Sequence, residues 1–412
     1  MLLRFVLAIA VSAALATGAE ARPAIVIDAD SGRVLHAEDA TALWYPASLT
    51  KLMTTYVTLS AVREGRITLD TPILYSANAQ KEPASKMGFP VNTILTIDNA
   101  LKLLLVKSAN DVAVAIAEGV SGSEAAFVAE MNRHAKGLGM TQSRFKNPNG
   151  WHDDQQVTSA RDMAILGRAL FRDFPSYSNT YRIAALQLGK RTIRGHNHLI
   201  GRFKGADGMK TGFTCPSGFN LVASATRGKR HLIAVVLGHA SAKERTQRAA
   251  ELLDAGFGKW TFWRRGQEVA TLPAVAGAAP NLRPEVCDRK RTGTAPEAVG
   301  ETEDDGGNIA TPHNEALSGL LTSYAAEPKE LLAPQQQKAV PVPIFLGPNP
   351  NGPRAYIDLA ARLVPSAPAA PEEPAPAPKK KQKADTKAKP KARKPDATAG
   401  TTPAVPTPKP RP

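Results

Sequence analysis

Apolar and polar positions along this chain follow two rhythms. Residues 24–27 form a short apolar run, Asp28-Ala29-Asp30-Ser31-Gly32 carries turn chemistry, and Val34-Leu35 resumes the run, which predicts an N-terminal hairpin. Leu52, Met53, Tyr56, Val57 and Leu59 then recur near the helical period and predict a fully buried helix. Residues 96–175 read as helical, with Thr96 or Asp98 as the first cap. Ser108-Ala109-Asn110 interrupts that stretch. Ser and Asn side chains compete for backbone hydrogen bonds, so the motif predicts a junction between two helices with polar tips in a cleft. A further helix is expected from Ser123 to about Lys136, stopping at Gly137.

From about residue 182 the pattern turns to strands. Residues 210–214 predict one, and 219–226 with 231–237 predict a hairpin through Arg227-Gly228-Lys229-Arg230. Ser241-x-x-Glu244 reads as a capping box for a last helix with Leu252, Leu253 and Phe257 on its apolar side. Strands at both ends with helices between predict an α+β architecture in three layers. It would hold a mainly antiparallel sheet flanked by helices, a helical subdomain, and a cleft between them. Beyond Arg264 the pattern weakens: Pro and Gly are frequent, apolar pieces such as Ile344-Phe345-Leu346 are scattered, and 315–326 predicts a short helix. The Pro/Ala/Lys-rich residues 366–412 lack the apolar surface to fold and predict a disordered tail.

Composition adds the compartment. The chain has 412 residues, 43% hydrophobic and 22% charged, enough for one large or two ordinary domains. Residues 1–21 read as a secretory signal, with Arg4 as the positive start, an apolar stretch from Phe5, and Ala19-Glu20-Ala21 as a small-x-small cleavage site. Export implies an oxidising compartment, where Cys215 and Cys287 stand either as one disulfide or as two unpaired thiols. The net charge of +15 is concentrated locally, much of it in the tail, and no nucleic-acid partner is expected. The tail lysines have two readings, Coulomb attraction to an anionic envelope surface or a solvated spacer. The pairs His196-x-His198 and His152-Asp153-Asp154 lack the convergent spacing of zinc sites, so neither a metal nor any other cofactor is expected.

Three short motifs carry the chemistry: Ser48-Leu49-Thr50-Lys51, Ser108-Ala109-Asn110 and Lys210-Thr211-Gly212. Each alone has a bland reading, as a helix cap, a helix junction and a strand end. The ordered triple behind an export signal is far rarer. Residues three apart share a helix face, so Lys51 can reach the Ser48 hydroxyl and take its proton. The chain resembles the D-alanyl-D-alanine carboxypeptidases among the low-molecular-mass penicillin-binding proteins, of the serine peptidase S11 type. The likeness extends to Phe145-Lys146-Asn147-Pro148-Asn149-Gly150, Ser159-Ala160-Arg161-Asp162-Met163-Ala164, Asp207-Gly208-Met209 and Asn220-Leu221-Val222-Ala223-Ser224-Ala225.

The resemblance implies a β-lactamase/transpeptidase-like fold and a site. Ser48 would be the nucleophile and Lys51 its base, kept neutral by burial and by Lys210. Ser108 would relay the proton to the leaving amine. Asn110 would hold the substrate amide and orient Lys51, while Lys210, Thr211 and Arg245 would bind the terminal carboxylate. Gly212 would let the strand approach closely, and the N–H groups of Ser48 and Phe213 would form the oxyanion hole. Phe213 stands where relatives commonly carry a polar residue, and Arg245 has the alternative of a helix-surface charge. The implied substrate is the D-alanyl-D-alanine end of a peptidoglycan stem peptide, with β-lactams as covalent inhibitors, in the periplasm or cell envelope.

A D,D-endopeptidase acting on cross-links shares such a site, and a non-catalytic envelope binder is the alternative from another class. A class A β-lactamase would need a Glu-x-x-Leu-Asn motif between the second and third motifs, and none occurs. The expected division is 1–21 signal, 22–264 catalytic domain, 265–365 poorly patterned extension and 366–412 tail. That extension lacks the alternating strands of the β-rich second domain found in many relatives.

Overall fold

The computed structural model describes residues 22–258, 266–288, 331–334 and 339–363. The export segment, the expected helix at 315–326 and the tail lie outside the described residues. The elements in chain order are β1 (Ala24–Asp28), β2 (Val34–Glu38), α1 (Thr50–Arg63), β3 (Pro72–Leu74), α2 (Ala77–Gln80), β4 (Ile94–Thr96), α3 (Ile97–Val106), α4 (Asn110–Ser121), α5 (Glu124–Gly137) and α6 (Ala160–Asp173). There follow β5 (Ala185–Leu188), β6 (Arg191–Arg194), β7 (Ala206–Thr214), β8 (Gly218–Arg227), β9 (Arg230–His239), α7 (Ala242–Gly258), α8 (Arg283–Val286), β10 (Val342–Ile344) and α9 (Arg354–Leu363).

Five strands form an antiparallel sheet in the order β2-β1-β9-β8-β7. Val26, Leu221, Ala223, Leu232, Ala234 and Val236 pack against Ala249, Ala250 and Leu253 of α7. Their neighbours Ile25, Ile27, Val222, Ile233 and Val235 join the larger core that includes α1 and α6. Successive strand side chains point to opposite faces, so a sheet covered by helices on both sides reads as unbroken apolar runs. This is the expected three-layer, transpeptidase-like α+β arrangement.

Helix α1 lies among the other helices, and every residue from Thr50 to Ala61 is buried. Buried on all sides, it needs no apolar stripe. Two of its hydroxyls are satisfied internally, Thr55 Oγ1 donating to Lys51 O at 2.8 Å and Thr58 Oγ1 to Thr54 O at 2.8 Å. Thr96, Ser123 and Ser159 cap α3, α5 and α6, each oxygen accepting a backbone N–H at 3.2 Å. Half of the expected capping box forms at α7: Glu244 N donates to Ser241 Oγ at 3.1 Å, while the Glu244 carboxylate reaches one residue further back and accepts from Ala240 N at 3.2 Å.

Two expectations are corrected. Helix does not continue through 96–175, because residues 138–159 run irregularly, with Gly139 and Gly150 at positive φ and Pro148 between them. This stretch folds over α1, where Thr54 Oγ1 donates to Pro148 O at 2.5 Å. Ser48 also precedes the α-helix: it sits in a 3₁₀ turn, Ala47–Leu49, that leads into α1. Described residues after 264 pack on the same body. Val34 N donates to Gln267 O at 2.9 Å, and β10 adds in parallel to β5 beside β6. Cys215 and Cys287 form a disulfide, which settles the alternative left open by their number.

Candidate active site

The buried Lys51 amine sits among oxygen atoms of the site. Its Nζ lies 2.9 Å from Ser48 Oγ, 2.7 Å from Asn110 Oδ1 and 2.5 Å from Asn149 O. A neutral amine has two N–H bonds and one lone pair. In that neutral state, N–H bonds to the two carbonyl oxygens leave the lone pair for the Ser48 hydroxyl. The Asn110 amide orientation follows from the same bookkeeping of donors: Oδ1 faces the lysine, and Nδ2 donates to Pro83 O at 3.0 Å.

The Ser48 turn is held by its neighbours on both sides. Asn220, buried on β8, donates through Nδ2 to Tyr45 O at 3.0 Å and accepts at Oδ1 from Gly238 N at 2.8 Å. Trp44 Nε1 donates to Ser217 O at 2.9 Å. Gly150 lies so close that a Cβ there would sit 2.0 Å from Ala47 O. On the other side β7, the edge strand of the sheet, passes against the turn. A Cβ on Gly212 would stand 3.0 Å from Pro46 O and 3.1 Å from Ser48 N. The obstacle at Gly212 is therefore the protein's own backbone, which gives the expected close approach of the strand its physical reason.

Ser108 sits between α3 and α4 as expected, with φ +63, a left-handed conformation that a serine holds only when its surroundings impose it. Its buried hydroxyl has no hydrogen-bond partner among the described residues. Lys210 and Thr211 are buried in β7, where Lys210 Nζ donates to Thr211 O at 2.8 Å. The Phe213 ring packs on Phe219, centroids 4.2 Å apart. Arg245 is 2% exposed, which removes the helix-surface alternative. Its guanidinium reaches Asn220 O at 3.4 Å and lies 5.7 Å from the Phe219 ring centroid, beside the Gly212–Phe213 end of β7. Burial, with Arg22, Arg248 and Arg245 nearby, pushes His239 down to about 4, so its ring is neutral at pH 7.

Sequence reading assigned no role to Asn149 or Asn220, although both stood within quoted motifs. Nothing in the local pattern reveals that a backbone carbonyl will meet Lys51 or that an amide on β8 will hold residue 45. The Ser159-Ala160-Arg161-Asp162 motif proves architectural. Asp162 accepts from Gln142 N at 2.8 Å, Ser143 Oγ at 2.8 Å and Arg161 Nη1 at 2.7 Å, and it ties residues 142–143 to α6. Burial nonetheless raises its carboxyl above the usual range, against those hydrogen bonds and the Arg161 charge. Asp111 likewise gathers donors, from Tyr75 Oη at 2.9 Å and Met87 N at 2.8 Å.

Residues 10–241, more than half of the chain, match the family described as D-alanyl-D-alanine carboxypeptidase. The chain belongs to this family. D-alanyl-D-alanine carboxypeptidase DacF of Bacillus subtilis is 34% identical over 265 residues, 63% of this chain and 68% of that protein. Among solved structures, penicillin binding protein 5 from Haemophilus influenzae superposes with a TM-score of 0.55 at 36% identity, over 58% of this chain and 71% of that one. Penicillin-binding protein D2 from Listeria monocytogenes, in its ampicillin-bound form, gives a TM-score of 0.51 at 28% identity, over 58% and 97%. The carboxypeptidase family match ends where α7 begins, so the described segments beyond it lie outside that likeness.

Proposed function

We propose that this protein is a serine-type D-alanyl-D-alanine carboxypeptidase that removes the terminal D-alanine from peptidoglycan stem peptides through an acyl-enzyme on Ser48. The observation that carries the reading is the buried Lys51 amine, 2.9 Å from Ser48 Oγ and also within hydrogen-bond reach of the Asn110 and Asn149 carbonyl oxygens. Lys51 takes the Ser48 proton as Oγ attacks the carbonyl carbon of the penultimate D-alanine. The oxyanion is met by the N–H groups of Ser48 and Phe213. Collapse breaks the C–N bond, and the proton passes from Lys51 through Ser108 to the departing amine of D-alanine. Water then hydrolyses the Ser48 ester. Lys210, Thr211 and Arg245 hold the terminal carboxylate, and Asn110 holds the substrate amide. A β-lactam acylates the same serine, with its leaving amine still tethered.

The export segment supports action in the periplasm or cell envelope, and the lysine-rich tail supports contact with an anionic envelope surface. The test is D-alanine release from a pentapeptide ending in D-alanyl-D-alanine, run beside fluorescent penicillin labelling, in wild type and Ser48→Ala. Release and labelling in wild type, both lost in the variant, are expected. Labelling without release redirects the reading to an endopeptidase on cross-linked muropeptides. Neither signal in folded wild-type protein overturns the enzyme.

A further inference from the structure

The two oxygens that orient Lys51 are both held from one short segment. Residues 82–88 follow α2 and cross the start of α4. Asn110 N donates to Ser85 O at 2.7 Å, Ser85 Oγ to Lys107 O at 3.0 Å, and Gly88 N to Asp111 Oδ2 at 2.9 Å. Within this segment Pro83 O accepts the Asn110 amide at 3.0 Å, and Glu82 Oε2 accepts Asn149 Nδ2 at 2.5 Å. Asn149 is 2% exposed, and its Oδ1 is taken by Trp151 N at 2.7 Å. Its side chain therefore has one donor partner and one acceptor partner, and the acceptor is a carboxylate. None of the catalytic roles above uses that carboxylate.

We propose that Glu82 is a positioning residue for the Lys51 base: it holds Asn149 so that the Asn149 carbonyl stays on the Lys51 amine, and its negative charge biases that amine toward the protonated form. The inference rests on the catalytic reading of Ser48 and Lys51. The charged groups around Glu82 are Lys51 from α1, Asp111 from α4 and Glu124 from α5. Burial and the Glu124 charge raise the Glu82 carboxyl above its ordinary range, opposed by the Asn149 hydrogen bond and by Lys51. Glu82→Gln keeps an oxygen for Asn149 and removes the charge. Glu82→Ala removes both.

The experiment measures acylation of the full chain by a fluorescent penicillin across pH, with a melting curve for each variant. Glu82→Ala is expected to acylate at least about tenfold more slowly. In Glu82→Gln the acid limb of the rate profile is expected about half a unit lower in pH, because the neutral amine is reached more easily without the nearby negative charge. A purely structural glutamate would not move that limb. Should Glu82→Ala fail to fold, the Glu82→Gln profile decides alone. A wild-type rate in folded Glu82→Ala, or an unmoved acid limb in Glu82→Gln, overturns the inference. Absent acylation in wild type overturns the catalytic reading instead.

Discussion

Gly150→Ala puts a methyl group where the structure has no room for one. Its Cβ would stand 2.0 Å from Ala47 O and 2.5 Å from Ala47 C, and ordinary contact begins near 3.4 Å, so the loop must retreat by about 1.4 Å. The residue also holds φ +86, which costs an L-residue about 1–2 kcal/mol. Overpacking adds about 1–3 kcal/mol. Together these lower the melting temperature by roughly 4–20 °C, at about 2–4 °C per kcal/mol for a domain of this size. Catalysis should suffer more than folding. The preceding carbonyl, Asn149 O, is one of the two oxygens on Lys51, and a displacement near 1 Å at such a group costs about 10²-fold. Gly139→Ala is the control: φ is +78 there and nothing lies within 4 Å of the new Cβ, so only the backbone cost of about 1–2 kcal/mol applies. Penicillin acylation and thermal melting, run on both variants, separate strain from clash. If Gly150→Ala acylates within about threefold of wild type and melts with Gly139→Ala, the close packing of Gly150 against Ala47 does not constrain the site.

The disulfide closes 72 residues of chain, so removing it by Cys215→Ser with Cys287→Ser should cost about 4 kcal/mol by loop-closure entropy; identical denaturant midpoints for the two proteins would refute this. Asp207 gives a pH signature. Burial pushes its carboxyl up, but hydrogen bonds from Ser224 and Thr226, with the His231 ring 3.6 Å away, outweigh burial and hold it below the ordinary aspartate range. Its stabilisation is therefore fully present above the ordinary aspartate range and lost as pH falls through the lower folded value. Wild type should melt above Asp207→Asn at neutral pH and converge with it in acid, and a constant gap across the titration would count against the assignment.

How far the site was legible depended on distance along the chain. Ser48 and Lys51 are three residues apart, so local helical geometry alone brings them together, and the 3₁₀ turn at Ala47–Leu49 alters the detail without altering the pair. Ser108 and Asn110 were legible as a junction because Ser and Asn resist helix interiors. The antiparallel sheet was legible because strands covered on both faces leave unbroken apolar runs in β1 and β9, with β8 joined to β9 by the Arg227-Gly228-Lys229-Arg230 turn. The irregular stretch at 138–159 was misread as helix, since its turns serve a tertiary purpose: they deliver Asn149 O to Lys51 and Gly150 to the back of Ser48.

By itself, the sequence determined the N-terminal hairpin, the buried α1, the junction at Ser108, the β8–β9 hairpin and the start of α7, and it set Ser48 three residues before Lys51. Those features follow from local periodicity, capping chemistry and side-chain type. Tertiary structure alone decided which carbonyls orient the base, that Glu82 and Asn149 meet across 67 positions, that Asn220 holds the turn before Ser48, and that Cys215 pairs with Cys287. Each of these is a contact between residues far apart in the chain. It exists only once the sheet and the helices around α1 have packed, because a single hydrogen bond is too weak to choose its partner before the core has fixed where both groups lie.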